Sequence, residues 1–320
     1  MGYKYIFGPV ASRRLGVSLG IDLLPYKTCT LDCIYCECGK TTDLRIEREN
    51  FVDYNDVLKE IDEFLKNNDF PDAITFSGSG EPTLYKDFGI LASKIKEKYK
   101  NIKICLLTNT TLFNLKEVRE GAKVFDIVLP SLDAVLEDEF NKINKPHKEI
   151  KLENIINGLK EFKKEYKGEI WLEIFFAKGV NDSKMHVDKL YKVVKEIFPY
   201  KVQLNSLDRP PAYEGVESVS KEFLENIVRN WKDLNVEIIS RYKTRESISD
   251  YSRNLEELIL NALKRRPYTF EDLQTIFNKD KTTLNKYIDL LESEKKIKAV
   301  IIENKIFYKL NESNWINYFK

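Results

Sequence analysis

The chain has 320 residues, 42% of them hydrophobic and 32% charged, with a formal net charge of +1. That apolar content supports a sizeable core and argues against disorder, while the balanced charge excludes a globally basic nucleic-acid-binding surface and leaves room only for a local patch. No apolar run reaches the length of a bilayer span and the N-terminus lacks a signal-peptide core, so a cytoplasmic protein without membrane contact, its thiols reduced, is expected.

Strand-like apolar runs alternate with helically periodic stretches. Strands are predicted at 17–24 (VSLGIDLL), 73–77, 102–108, 127–132, 170–176 and 201–205. Helices are predicted between and after them at 54–67, 89–99, 115–121, 152–166, 182–197 and 221–234, with a short extra strand at 236–240. Six βα units in succession imply parallel strands, because each helix supplies the crossover. An open doubly wound sheet and a barrel both satisfy this pattern, and in both ligands gather at the carboxyl ends of the strands. Polar motifs fall at those ends: KTCTLDCIYC, GSGEPT, TNTTLF, SLDA, KGVND and NSLDRPP.

A domain boundary is expected at 249–254, dividing the chain into 1–248 and 253–320. Beyond it, helices are predicted at 255–264, 269–277 and 281–294. Strands at 297–302 and 305–310 flank a hairpin turn at Glu303-Asn304. Three helices and a hairpin resemble a winged helix-turn-helix, whose third helix often enters a DNA groove. Here that helix carries Lys281, Asn285 and Lys286, but 253–320 holds only 13 Lys/Arg against 10 Asp/Glu. Nucleic acid, a peptide or protein partner, and a purely structural role all remain open for it.

Four of the five cysteines lie within residues 27–40. Cys29, Cys33 and Cys36 read C-x3-C-x2-C, a pattern that random placement of five cysteines produces on the order of once in a thousand such chains. Three thiolates from one loop can hold three corners of a [4Fe–4S] cube and leave one iron open. A zinc knot using Cys38 as fourth ligand is the rival, although zinc sites usually come as two separated pairs.

C-x3-C-x2-C with Tyr35 before the last cysteine resembles the signature of the radical S-adenosylmethionine (SAM) superfamily. The resemblance covers residues 17–240. It implies a partial (β/α)6 TIM-like barrel, here followed by the winged-helix domain. It also implies a [4Fe–4S] cluster on Cys29, Cys33 and Cys36. Reductive cleavage of SAM to a 5′-deoxyadenosyl radical, which abstracts hydrogen from a substrate, is the implied activity. A low-potential electron donor of flavodoxin or ferredoxin type is the implied partner.

Gly78-Ser79-Gly80-Glu81-Pro82 resembles the superfamily's Gly-Gly-Glu-Pro, which implies that Glu81 and the Gly78–Gly80 backbone hold the methionine amine. Thr108-Asn109 resembles its Thr-Asn-Gly, with Thr110 in place of glycine. Ser131-Leu132-Asp133 resembles the position that meets the ribose hydroxyls, which implies that Ser131 and Asp133 contact the sugar. Ordinary helix caps would explain the same polar residues. Phe7-Gly8-Pro9-Val10 and Asn205-Ser206-Leu207-Asp208-Arg209 resemble a prokaryotic branch grouped with the tRNA wyosine-base synthases, which makes tRNA or another macromolecule a candidate substrate. Wyosine synthases carry a second cluster on extra N-terminal cysteines, and no cysteine precedes Cys29, so a wyosine synthase itself is not expected.

Outside those motifs, Cys38 beside the cluster loop is a candidate hydrogen donor, and Cys105 reads as a buried apolar thiol. Glu173 alternates with apolar neighbours and points into the barrel. Arg13, Arg14 and Arg209 suggest a substrate with phosphate or carboxylate, unless they pair with surface acids. His147 and His186 sit among charged residues and are expected to be solvated. An iron–sulfur redox sensor that reads DNA through the winged helix would also explain the cysteines and the last domain. It leaves the GSGEPT, TN and SLD motifs without a purpose.

Overall fold

The computed structural model describes residues 3–12, 14–68, 70–207, 209–239, 255–277, 279, 281–302 and 305–311. The expected boundary at 249–254 lies outside them, as do Arg13, Asp208, Asp280, Glu303, Asn304 and the side chains of Thr282, Thr283 and Lys286.

The chain opens with strands β1 (Ile6–Ser12), β2 (Gly16–Ile21), β3 (Thr28–Cys29) and β4 (Asp43–Leu44). Then come helix α1 (Tyr54–Asn67), β5 (Ala73–Phe76), a 3-10 turn (Pro82–Leu84) and α2 (Phe88–Lys98). They are followed by β6 (Lys103–Thr108), α3 (Lys116–Ala122), β7 (Ile127–Pro130), α4 (Glu137–Ile143) and α5 (Leu152–Glu165). The last pairs are β8 (Glu169–Phe176) with α6 (Lys184–Ile197), and β9 (Lys201–Ser206) with α7 (Lys221–Asn230), before β10 (Val236–Ile238).

Eight strands form one sheet in the order β1-β2-β5-β6-β7-β8-β9-β10. Every neighbouring pair is parallel except β1–β2. This is the mostly parallel α/β sheet of a partial barrel. Helix α1 shows why the chain folds so: Asp53 caps it by accepting from Asn55 N, and Val57, Ile61, Phe64 and Leu65 recur at helical spacing and are buried. Strands β5 and β7 are buried throughout, as strands covered on both faces require. Inside the curve, Ala73, Cys105, Ile127 and Leu129 form a small apolar floor. Cys105 is fully buried there and its thiol is pushed up to about 12 by burial, as its strand position predicts.

Some expectations are corrected. The strand predicted at 17–24 stops at Ile21; Asp22 N still donates to Tyr5 O (2.9 Å), while its carboxylate accepts from Ser79. Strand β1 escaped prediction, because its Gly8-Pro9 pair reads as a turn. Helix α4 was also missed: its acidic first turn, Glu137-Asp138-Glu139, favours a helix N-terminus but leaves too short an apolar pattern. His186 is not solvated. It is fully buried, accepting from Val135 N at Nε2 (3.2 Å) and meeting the Asn181 carbonyl through Nδ1 (2.6 Å).

The C-terminal unit consists of α8 (Leu255–Leu263), β11 (Tyr268–Thr269), α9 (Phe270–Phe277), α10 (Lys281–Ser293), β12 (Ile297–Ile302) and β13 (Lys305–Leu310). Its three strands lie in the order β11-β13-β12. Thr269 and Asp272 cap α9 reciprocally, each side chain accepting from the other's backbone N–H at 3.1 Å. The unit's core, which includes Ile259, Leu273 and Ile288, also takes in Val10 of β1. An otherwise open sheet edge is thereby covered. No described helix is long and apolar enough to cross a membrane.

Candidate active site

The cysteine loop opens on β3, which pairs in parallel with β4 in a small sheet of its own. Loop backbone is stitched down at both sides: Asp32 N donates to Asn144 O (3.0 Å), Ile34 N to Ile143 O (2.9 Å), and Arg45 N to Cys29 O (3.0 Å). Cys29, Cys33, Cys36 and Cys38 are all free and half-buried.

Each of the three motif sulfurs meets a nitrogen donor. Asn109 Nδ2 lies 3.5 Å from Cys29 Sγ, Asn144 Nδ2 3.4 Å from Cys33 Sγ, and Lys27 Nζ 3.1 Å from Cys36 Sγ. Burial pushes the Cys29 thiol up to about 12 and Cys33 well above the ordinary range. Cys36 is pulled down by a hydrogen bond from Cys38 and by the Lys27 ammonium. Among the described residues no three His, Cys, Asp or Glu side chains are arranged for a single metal ion. Three thiolates on separate corners of a cube do not need to be. Softness, spacing and N–H donors to sulfur all suit an iron–sulfur cluster.

The GSGEP turn lies directly against this loop. A Cβ on Gly80 would stand 2.0 Å from Thr28 O, and one on Gly78 (φ +135°) would strike the Asp22 carboxylate at 2.4 Å. Only glycine permits so close an approach. Asp22 holds the turn by accepting from Ser79 N (3.1 Å) and Ser79 Oγ (3.0 Å).

Glu81 is fully buried, and burial pushes its pKa up. It accepts from Thr83 N (3.1 Å), Thr83 Oγ1 (2.6 Å), Thr108 Oγ1 (2.6 Å) and Asn109 N (2.7 Å). The carboxylate thus ties the loops after β5 and β6 together. Thr110 takes φ 70°, a conformation costly for a β-branched residue. That explains why the resembling motif has glycine there. Its hydroxyl secures the strain by donating to Ser131 O at 2.8 Å.

Asp133 is likewise committed. It accepts from Tyr35 OH (2.5 Å), Asn144 Nδ2 (2.7 Å) and Phe175 N (2.9 Å), and burial raises its pKa to about 6. The Tyr35 ring stacks on Phe175 with centroids 3.8 Å apart. Ser131, Asp133, Tyr35 and Asn109 meet at a small cavity of about 40 Å³.

A larger cavity of about 290 Å³ opens above the barrel floor, with Gly78, Cys36 and Cys38 in its wall. Glu173 points into it, accepting from Arg14 Nη1 (2.6 Å) and Asn205 Nδ2 (3.0 Å). Arg14 therefore pairs with an acid inside the barrel, not on the surface. Cys38 Sγ lies 3.7 Å from Gly78 O. Arg209 also lines the cavity but is buried and bonded outward, to Pro267 O (2.5 Å) and Asp272 (3.2 Å) of the C-terminal unit.

Sequence reasoning missed Asp22, Lys27, Asn144, Arg265, Arg266 and Tyr268. Asp22 falls inside the strand predicted at 17–24, which hid it, and Lys27 opens the KTCTLDCIYC motif that could have flagged it. No local signal marks the others.

The Radical SAM superfamily model matches residues 23–190. A UPF0026 protein of Methanocaldococcus jannaschii is 32% identical over 95% of this chain and 95% of its own length. A protein of Brachyspira hyodysenteriae named GTPase Obg is 37% identical over 96% of this chain, which spans only 45% of that relative. Among solved structures, TYW1 with a lysine-pyruvate adduct bound superposes with a TM-score of 0.53 at 18% identity, over 72% of this chain and 76% of that one, a likeness of fold. By its cysteine loop and this match, the chain belongs to the radical SAM superfamily, enzymes that use a [4Fe–4S] cluster and S-adenosylmethionine.

Proposed function

We propose that this enzyme aims a SAM-derived radical at a substrate held in the cavity between the barrel and the C-terminal unit. Cys29, Cys33 and Cys36 would hold the cluster. When bound, it would supply the electron for reductive cleavage of SAM, giving a radical able to take hydrogen from a substrate. The chain's residues do the rest. The backbone of Gly78 and Gly80 receives the methionine amine, with Glu81 fixing the turn. Thr108, Asn109 and Ser131 line the nucleoside side. Asp133 holds Tyr35, and so the cysteine loop, in place. Cys38, at the cavity wall, is placed to donate a hydrogen atom to a substrate radical.

Helix, short strand, two helices and a hairpin support reading the C-terminal unit as a winged helix, with domains at 1–248 and 253–320. A flavodoxin- or ferredoxin-type donor supplies the electron. The observation that carries this reading is the contact of the glycine turn with the cysteine loop. The redox-sensor alternative has no observation in its favour. Anaerobic incubation of reconstituted protein with dithionite and SAM tests the proposal: release of 5′-deoxyadenosine supports it, and intact SAM after many cluster equivalents of reductant overturns it.

A further inference from the structure

The large cavity is not made by the barrel alone. Arg265, Arg266 and Tyr268 of the C-terminal unit line it together with Arg14, Glu37, Glu173 and Arg209 of the barrel part. Four guanidinium groups thus face one space of about 290 Å³, against two carboxylates in its wall.

Each arginine is held by a carboxylate. Arg265 Nη1 donates to Asp22, the residue that seats the glycine turn. Arg266 Nη1 reaches Glu37 Oε2 at 3.3 Å, and Arg209 Nε faces the same oxygen at 3.5 Å. Glu37 lies between Cys36 and Cys38, so the C-terminal unit grips the cysteine loop itself. A guanidinium has five donors, and these pairs use only some of them. Arg209 is 5% exposed; its buried Nε, despite the nearby Glu37 carboxylate, and the buried Nε of Arg265 make no hydrogen bond in the protein. A desolvated donor without a hydrogen bond is costly, and an anion entering the cavity gives these guanidinium groups a further acceptor.

We infer that the C-terminal unit is the roof of the active site and that the arginine wall binds a phosphate or carboxylate group of the substrate. This rests on the radical SAM reading of the barrel. Arg266 and Arg265 act as substrate-binding groups, and Arg209 positions Arg266 by joining Glu37 to Asp272. The module is then part of the catalytic chamber, and its inner face is not a free nucleic-acid-reading surface.

The test measures binding of inorganic phosphate and, separately, of succinate to full-length cluster-loaded protein by calorimetry, without SAM or reductant. At least one anion binds the unaltered protein. Arg266→Gln and Arg265→Gln weaken that binding about 10- to 100-fold, the range for a charged hydrogen bond. Lys189→Gln, exposed on α6, leaves it unchanged. If Arg266→Gln does not fold, Arg266→Lys keeps the charge but loses the planar fork, and it still weakens binding. Preference for phosphate assigns a phosphorylated substrate; preference for succinate assigns a carboxylated one. Absence of binding by the unaltered protein, or equal binding by the arginine variants, overturns the inference. Because no radical chemistry enters the readout, failure to release 5′-deoxyadenosine would count against the enzyme reading alone.

Discussion

The ammonium of Lys27 lies 3.1 Å from the sulfur of Cys36. Lys27 is 2% exposed and holds a left-handed backbone, φ 55°. Burial works against its charge, yet the sulfurs of Cys36, Cys38 and Cys29 outweigh that and raise its pKa. If Cys36 holds the cluster as proposed, a fixed positive charge beside it eases arrival of an electron. Lys27→Met should therefore shift the cluster's midpoint potential on the order of 50–100 mV more negative. A spin-resonance redox titration reads this, and an unchanged potential removes the role.

Cluster retention separates Cys38 from the other three thiols of its loop. Anaerobically reconstituted protein should carry about four irons per chain. Cys33→Ser should lose nearly all of them, while Cys38→Ala keeps them. Iron and sulfide assays settle it, and loss of iron in Cys38→Ala would show that Cys38 is a ligand.

Gly80→Ala introduces a methyl group 2.0 Å from Thr28 O. The turn must move off the cysteine loop at a cost of about 1–3 kcal/mol. A lowered thermal midpoint together with weakened SAM binding in equilibrium dialysis is expected. Normal SAM binding would mean the turn does not serve the cofactor.

His186 makes stability depend on pH. Burial penalises its charged form and lowers its pKa, opposed by the Asn181 carbonyl and Glu139. The unfolded chain then binds more protons, so stability is complete above about pH 6.5 and falls as the pH drops below it. His186→Gln should flatten this acid limb and cost about 1–3 kcal/mol through its buried partners. Melting curves from pH 5 to about 8 compare the two; identical limbs would remove His186 as the cause.

Local spacing by itself determined the three-cysteine loop, the alternation of strands and helices, and the placing of each polar motif after a strand. These follow from chain periodicity and from residues within one loop of each other. Tertiary structure alone decided what each polar side chain meets. Tyr35 finds Asp133 98 positions away, and Arg265 finds Asp22 across 243. Arg209, a candidate substrate contact, lines the cavity while bonded to the C-terminal unit, and His186, expected in solvent, is a buried pin. The C-terminal module, whose role the sequence leaves open, packs on Val10 of β1 and lines the large cavity with Arg265, Arg266 and Tyr268. Such pairings depend on how the sheet curves and which edge the last helices cover, and no spacing along the chain encodes either.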